Sequence, residues 1–315
     1  MLKQWRVASI LMVVVALGMF ISACGGTTAN GPTTGGGSTP SGTSQASLGT
    51  PGKYTCVQGS ITASGSTALA PLVKQIATVY QGKCQGANIT TNLGGSKTGL
   101  SQAASGAVNI GNSDVFASSS QSDLVDHQVT VVPFVLAINS SVTGVPNLTT
   151  DQIKGIYSGK TTNWKELGGA DQKITVISRP ASSGTRATFQ QYILGGPETI
   201  SGPSNLTSDS TGVVAQNIKQ NAGAIGYITL HQAKVDSIKT VSIDGHAPAL
   251  DQIKNNSYKF WNIEHMYTKG QASGLTQAFL DYMTSSDARA EAQKLDFIAI
   301  SDMSQDAIQA HQPKS

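Results

Sequence analysis

SRPASSGTR, residues 178–186, decides how this chain is read. An apolar β-type run, Ile174-Thr175-Val176-Ile177, leads into it, and a helical pattern with Phe189, Tyr192 and Ile193 on one side follows. A strand that breaks into Ser-Ser-Gly-Thr and then a helix leaves hydroxyls and unbonded backbone N–H groups at the helix N-terminus. That end carries roughly half a positive charge and attracts anions. Arg179 stands at the strand end, where a planar guanidinium grips an oxyanion through two parallel hydrogen bonds. Taken alone, the stretch reads equally well as a capped βα turn with a surface arginine.

The same turn recurs upstream. Ile61-Thr62-Ala63-Ser64 runs into Gly65-Ser66-Thr67-Ala68 and a helix with Leu69, Leu72, Val73, Ile76 and Tyr80 at helical spacing. Pro71 falls in its first turn, where no N–H is needed. A second strand over 89–93 runs into Gly94-Gly95-Ser96-Lys97-Thr98-Gly99 and a helix with Leu100, Ala103 and Ala104. A third strand, 108–110, ends in Gly111-Asn112-Ser113-Asp114. In an open α/β sheet, ligands sit outside the carboxyl ends of the strands, where these turns lie. Asp114 by itself is an ordinary turn or cap aspartate; its neighbours are what make it a site candidate.

Residues 129–138 (VTVVPFVLAI) fit a buried strand. Thr149-Thr150-Asp151-Gln152 has the spacing of a capping box for a short helix with Ile153, Ile156 and Tyr157, and Gly159 ends it. Gly159-Lys160-Thr161 has the ending of a nucleotide-hydrolase phosphate loop. Lys154, however, stands where that loop needs glycine and no strand precedes, so the reading is rejected. Ser210-Thr211-Gly212 opens a helix with Val213, Val214 and Ile218, and a strand covers 224–228. Leu275, Ala278, Phe279, Tyr282 and Met283 form a helical stripe, and a last helix runs from Ser286-Asp287 to Leu295.

Composition sets the class. The 315 residues have room for two lobes, with 39% apolar residues, 12% charged ones and 34 glycines to serve many strand-to-helix turns. A net charge of +3 with no basic run among aromatics excludes nucleic acid as a partner. Lys3 and Arg6 precede an apolar run over 7–23, which reads as a secretory signal peptide at 1–23; a membrane span is the alternative, at its short limit. Ile21-Ser22-Ala23-Cys24 resembles a bacterial lipobox, which makes Cys24 a lipidation site. Residues 24–52, rich in Gly, Ser, Thr and Pro, read as a flexible tether. Cys56 and Cys84 remain as an even pair in an exported protein, read as a disulfide, with two free thiols as the alternative. His127, His231, His246, His265 and His311 are isolated, so no metal and no cofactor is expected.

Six stretches now stand in one order: GSITASGSTALAPL (59–72), GGSKTGLSQAASGAVNIGNSD (94–114), LTTDQIKGIYSGKTTNWKELGG (148–169), SRPASSGTR, AIGYI (224–228) and GLTQAFLDYMTS (274–285). Together they resemble the phosphate-binding lipoproteins of bacterial phosphate ABC importers over about 59–300. The resemblance implies an α/β, two-lobed periplasmic-binding-protein-like fold of type II with ligand in the interlobe cleft. Lobe one would be 53–136 plus 259–315, and lobe two 137–258. It implies a monomer, lipid-anchored outside the cytoplasm, that captures inorganic phosphate and delivers it to the transmembrane subunits of a permease.

Carried over by position, the resemblance assigns ligand contacts to the Thr67 hydroxyl, the Ala68 N–H, Ser96, Arg179, Ser183, Gly184 and Thr185. Asp114 would accept a hydrogen bond from the proton that phosphate carries and sulfate lacks. A site built around such a partner rejects the analogue without it by roughly 10⁴ or more. The family often has an acidic residue one or two positions after its arginine, where this chain has Pro180 and Ala181. It also often has arginine and proline just before its late strand, where this chain has Phe260-Trp261-Asn262. The other readings are a receptor for a different tetrahedral oxyanion, a ligand-free signalling or adhesive lipoprotein, and a secreted phosphatase. Neither Ser96 nor Ser183 has a histidine spaced as its base, so no enzyme is expected.

Overall fold

The computed structural model describes residues 47–48, 54–200 and 205–313. The leader at 1–23, Cys24 and most of the tether lie outside the described residues. Inside the stretch read as tether, β1 (Ser47–Leu48) pairs antiparallel with β2 (Thr55–Cys56). Cys56 and Cys84 form a disulfide, closing a loop across a sequence separation of 28.

The first half follows the expected βαβαβ order: β3 (Gly59–Gly65), α1 (Ala70–Lys83), β4 (Ala87–Leu93), α2 (Ser96–Ser105) and β5 (Ile110–Ser113). β3 lies between β4 and β5 and is parallel to both. The helical spacing in α1 is core-facing, with Leu72, Val73, Ile76 and Tyr80 all buried. The third strand begins two residues later than the sequence suggests and takes in Gly111 and Asn112, which had read as turn. Gly111 is there because β5 runs hard against α2; a Cβ on it would lie 2.8 Å from the Cβ of Ala103.

β6 (Leu124–Ile138) is five residues longer than its apolar stretch. The added segment carries Asp126, His127 and Gln128, which hid it. After it come β7 (Asn147–Leu148) and α3 (Thr150–Tyr157), whose Thr149–Gln152 capping box forms as expected. A 3₁₀ turn at Trp164–Leu167 leads to β8 (Thr175–Ser178) and α4 (Gly184–Phe189), which runs on as a π-turn over Gln190–Leu194. β9 (Asn205–Thr207), α5 (Thr211–Gln220), β10 (Ala224–Thr229), α6 (Leu230–Val235), β11 (Lys239–Ile243) and α7 (Leu250–Lys254) complete the second half. The chain then returns through β12 (Trp261–Lys269) to α8 (Gly274–Met283), α9 (Ser286–Lys294) and α10 (Gln305–Ala310).

The strands join in the order β4-β3-β5-β12-β6-β10-β8-β9, with β11 between β6 and β7. β6 belongs to both halves. Its residues 124–133 pair with β12, and 134–138 pair with β10, all antiparallel. The exchange falls between Pro133 and Phe134, three residues before the lobe boundary expected from sequence. At that point the Phe134 N–H donates to the Phe260 carbonyl at 2.9 Å, so the two crossings of the chain are bonded to each other. Beyond them His311 stacks between Trp261 and Tyr192, at ring-centroid distances of 3.6 and 3.9 Å.

Candidate functional site

Four strand-to-helix turns and the end of β5 converge where the halves of the sheet face each other. Ser66 and Thr67 come from the β3–α1 turn, Ser96 from the first residue of α2, and Asp114 from the residue after β5. Arg179 to Thr185 come from the β8–α4 turn, and Thr211 from the first residue of α5.

The contacts between the halves run through these residues. Thr67 Oγ1 lies 3.1 Å from Thr211 Oγ1 and accepts from Arg179 Nη2 at 3.1 Å. The Thr185 hydroxyl donates to Asp114 Oδ2 at 2.9 Å. The Lys97 N–H donates to the Ser182 carbonyl at 3.1 Å. Gly184 packs against the opposite wall so closely that a Cβ on it would lie 2.8 Å from the Cβ of Asp114.

Asp114 is 1% exposed and held from several sides. The Ser66 hydroxyl donates to its Oδ1, and its own N–H donates to Ser96 Oγ at 3.0 Å. Asn262 Nδ2, on β12, donates to its carbonyl at 2.5 Å and to Thr188 Oγ1 at 3.2 Å. Burial raises the Asp114 pKa, opposed by the bonds from Ser66 and Thr185 and by the charge of Arg179.

Arg179 is equally buried, at 1% exposed. No acid follows it in sequence, so other groups orient it. Nη2 is tied to Thr67 and to the Asp209 carbonyl at 3.3 Å, while the Arg179 carbonyl accepts from Arg186 Nη1 at 2.8 Å. Arg186 in turn pairs with buried Glu198 at 3.2 Å, and Glu198 also accepts from Ser178 and from Tyr227, the latter at 2.7 Å. The acid that steadies this region therefore comes from 12 residues beyond Arg186 rather than from positions 180 or 181. Nε and Nη1 of Arg179 are buried with no hydrogen-bond partner. Two donors of one guanidinium, sealed from water, are left free to meet an oxyanion from different sides of the group.

All eight ligand residues expected from sequence are buried and lie in these turns. Two of them are engaged locally: the Ala68 N–H donates to Ser66 Oγ at 3.1 Å, and Ser183 Oγ caps α4 by accepting from the Arg186 N–H at 3.2 Å. Sequence reasoning passed over Thr211, Asn262 and Glu264. Thr211 carried a signal, since it is a hydroxyl residue that opens a helix, as Ser96 is. β12 carried none, because its polar residues resemble a surface segment. Among the described residues no group of His, Cys, Asp and Glu is placed to hold a metal ion, and no helix is long and apolar enough to cross a membrane.

A two-lobed α/β frame joined by two strand crossings, with buried hydroxyls, helix N-termini and a half-bonded arginine between the lobes, defines a solute-binding protein of the periplasmic-binding type. The PBP superfamily domain matches residues 39–287. The chain is 46% identical over 233 residues to the phosphate-binding protein PstS of Bacillus subtilis, spanning 73% of this chain and 76% of that one. It therefore belongs to the PstS family of phosphate-binding proteins. Among solved structures, a candidate phosphate ABC transporter substrate-binding protein of Clostridium perfringens with bound phosphate superposes with a TM-score of 0.73. It is 30% identical and covers 77% of this chain and 100% of its own. An ABC-type phosphate transport receptor of Vibrio cholerae gives a TM-score of 0.63 at 26% identity, covering 76% and 99%.

Proposed function

We propose that this protein captures inorganic phosphate between its lobes and delivers it to the transmembrane subunits of an ABC permease. The observation that carries this is a buried carboxylate, Asp114, placed among anion donors opposite the buried Arg179. Such a carboxylate repels a fully deprotonated anion and accepts a hydrogen bond from one that keeps a proton. Arg179 supplies the charge, and Thr67, Ser96, Ser183 and Thr185 supply hydroxyls. Gly184 brings a backbone N–H at the start of α4, and Ala68 lies in the β3–α1 turn, where its N–H must leave Ser66 Oγ to reach the ligand. Lobe one, 53–136 with 259–315, and lobe two, 137–258, close on the ligand by bending at the two crossings. Cys24 carries the lipid, palmitate included, that holds this monomer to the outer face of the cell membrane. The protein performs no chemistry on its ligand.

Calorimetry of the purified protein with phosphate and then sulfate, in wild type and Asp114→Asn, tests the reading. Phosphate binds the wild type and sulfate gives no heat, and the variant loses most of that discrimination, of order 10⁴. Equal binding of the two anions by the wild type overturns the assignment.

A further inference from the structure

Glu264 stands directly behind the anion site. It lies on β12 two residues after Asn262, so strand alternation puts both side chains on one face, and Asn262 already reaches the Asp114 carbonyl at 2.5 Å. Glu264 is 0% exposed, and neither of its carboxyl oxygens has a hydrogen-bond partner. β12 pairs antiparallel with β5, with Met266 opposite Asn112 and His265 opposite Ser113, so one step further along Glu264 falls opposite Asp114; burial first, and then the Asp114 charge, push its pKa well above the carboxylate range.

Two carboxylates cannot both stay ionised side by side out of water; the pair holds a proton. The donors decide where it sits. Asp114 receives the Ser66 and Thr185 hydroxyls and feels Arg179, whereas Glu264 receives nothing.

We propose that Glu264 is a positioning residue for anion recognition, standing behind Asp114 as an uncharged acid that keeps its proton and donates a hydrogen bond to the Asp114 carboxylate. The proposal rests on the reading of Asp114 as acceptor of the ligand's proton. Its consequence is that the site faces an incoming anion with one negative charge, not two, and Asp114 keeps its free lone pairs for the ligand. Ionising Glu264 at alkaline pH sets a second negative charge against the bound anion. The other charged or titratable groups packed here are Asp114, Arg179 and, next along β12, His265, which bonds Asp126 of β6 at 2.9 Å.

The test starts with the ligand-free wild type, labelled with ¹³C at glutamate carboxyls. The chain has four glutamates, Glu166, Glu198, Glu264 and Glu291, so the spectrum is simple. The Glu264 resonance, identified by its loss in Glu264→Gln or by backbone correlation if that variant does not fold, stays at the protonated position from pH 5 to pH 8. An ionised position across that range overturns the proposal. Phosphate calorimetry then compares Glu264→Gln with wild type, which cancels the ligand's own titration. The variant binds within about threefold at pH 7 and falls off less steeply toward alkaline pH. A variant ~tenfold tighter at pH 7, or one with the wild-type pH profile, overturns it. Failure of the wild type to bind phosphate sinks the phosphate reading instead, and the ligand-free spectrum still decides the state of Glu264.

Discussion

Gly184→Ala isolates the contact between the lobes. The glycine is the first residue of α4, its backbone lies outside the left-handed region, and nothing in its own turn forbids a methyl group. The obstacle is across the cleft: the added Cβ would meet the Cβ atoms of Asp114 and Ser96, each at 2.8 Å. Carbon atoms rest at about 3.5–4.0 Å, so the lobes must stop roughly 1 Å short of their present approach. Overpacking of this size costs about 1–3 kcal/mol. Because the cost falls only on the closed form, it converts to a loss of phosphate affinity of roughly 5- to 150-fold. Alanine is also the better helix former, so ligand-free thermal stability should hold or rise slightly. Calorimetry and a melting curve on the same sample give both numbers. Affinity within twofold of wild type would refute the reasoning, because it would mean that binding does not require this approach. A fall in ligand-free stability would refute it differently, by placing the damage inside one lobe.

Two further expectations concern stability. Replacing Cys56 and Cys84 together by serine opens a loop of sequence separation 28, and chain entropy puts the loss at about 3–4 kcal/mol. Urea unfolding measures it; a loss under ~1 kcal/mol contradicts the estimate. His311, buried between Trp261 and Tyr192, has its pKa pushed down to about 3 by burial. The unfolded chain takes up this proton below its ordinary value and the folded chain does not, so the stability it supports is whole above that value and drains away as pH falls. Between pH 7.5 and 5 that amounts to about 2 kcal/mol. His311→Phe keeps the stack and should be less acid-sensitive by this amount; parallel pH profiles would contradict it.

The turns of the first half were legible because each repeats one local pattern: an apolar run, then glycine and hydroxyl residues, then helical spacing. Local patterns picked out the turns that hold Thr67, Ser96 and Thr185; the resemblance singled out those residues as ligand contacts. Asp114 needed its neighbours, and the way Arg179 is held needed the fold, since Thr67 and Asp209 reach it from two other turns and Arg186 from the first turns of α4. β12 was missed for a physical reason. Asn262, Glu264 and His265 are polar residues buried in the middle of a sheet; Asn262 reaches the Asp114 carbonyl and His265 bonds Asp126. Buried polarity of this kind is indistinguishable in sequence from a surface segment. The 124–128 part of β6 was hidden in the same way, by Asp126 and His127.

The bonded crossing at Pro133–Phe134 and Phe260 makes the joint between the lobes a piece of sheet rather than a pair of loose threads. A ribbon of two laced strands resists sliding along its length and yields to twist. On the proposed closure, this joint favours a swing of the lobes like the covers of a book over a slide of one past the other. Under that proposal occupancy becomes an angle, and a surface that spans both covers would display it to whatever touches it.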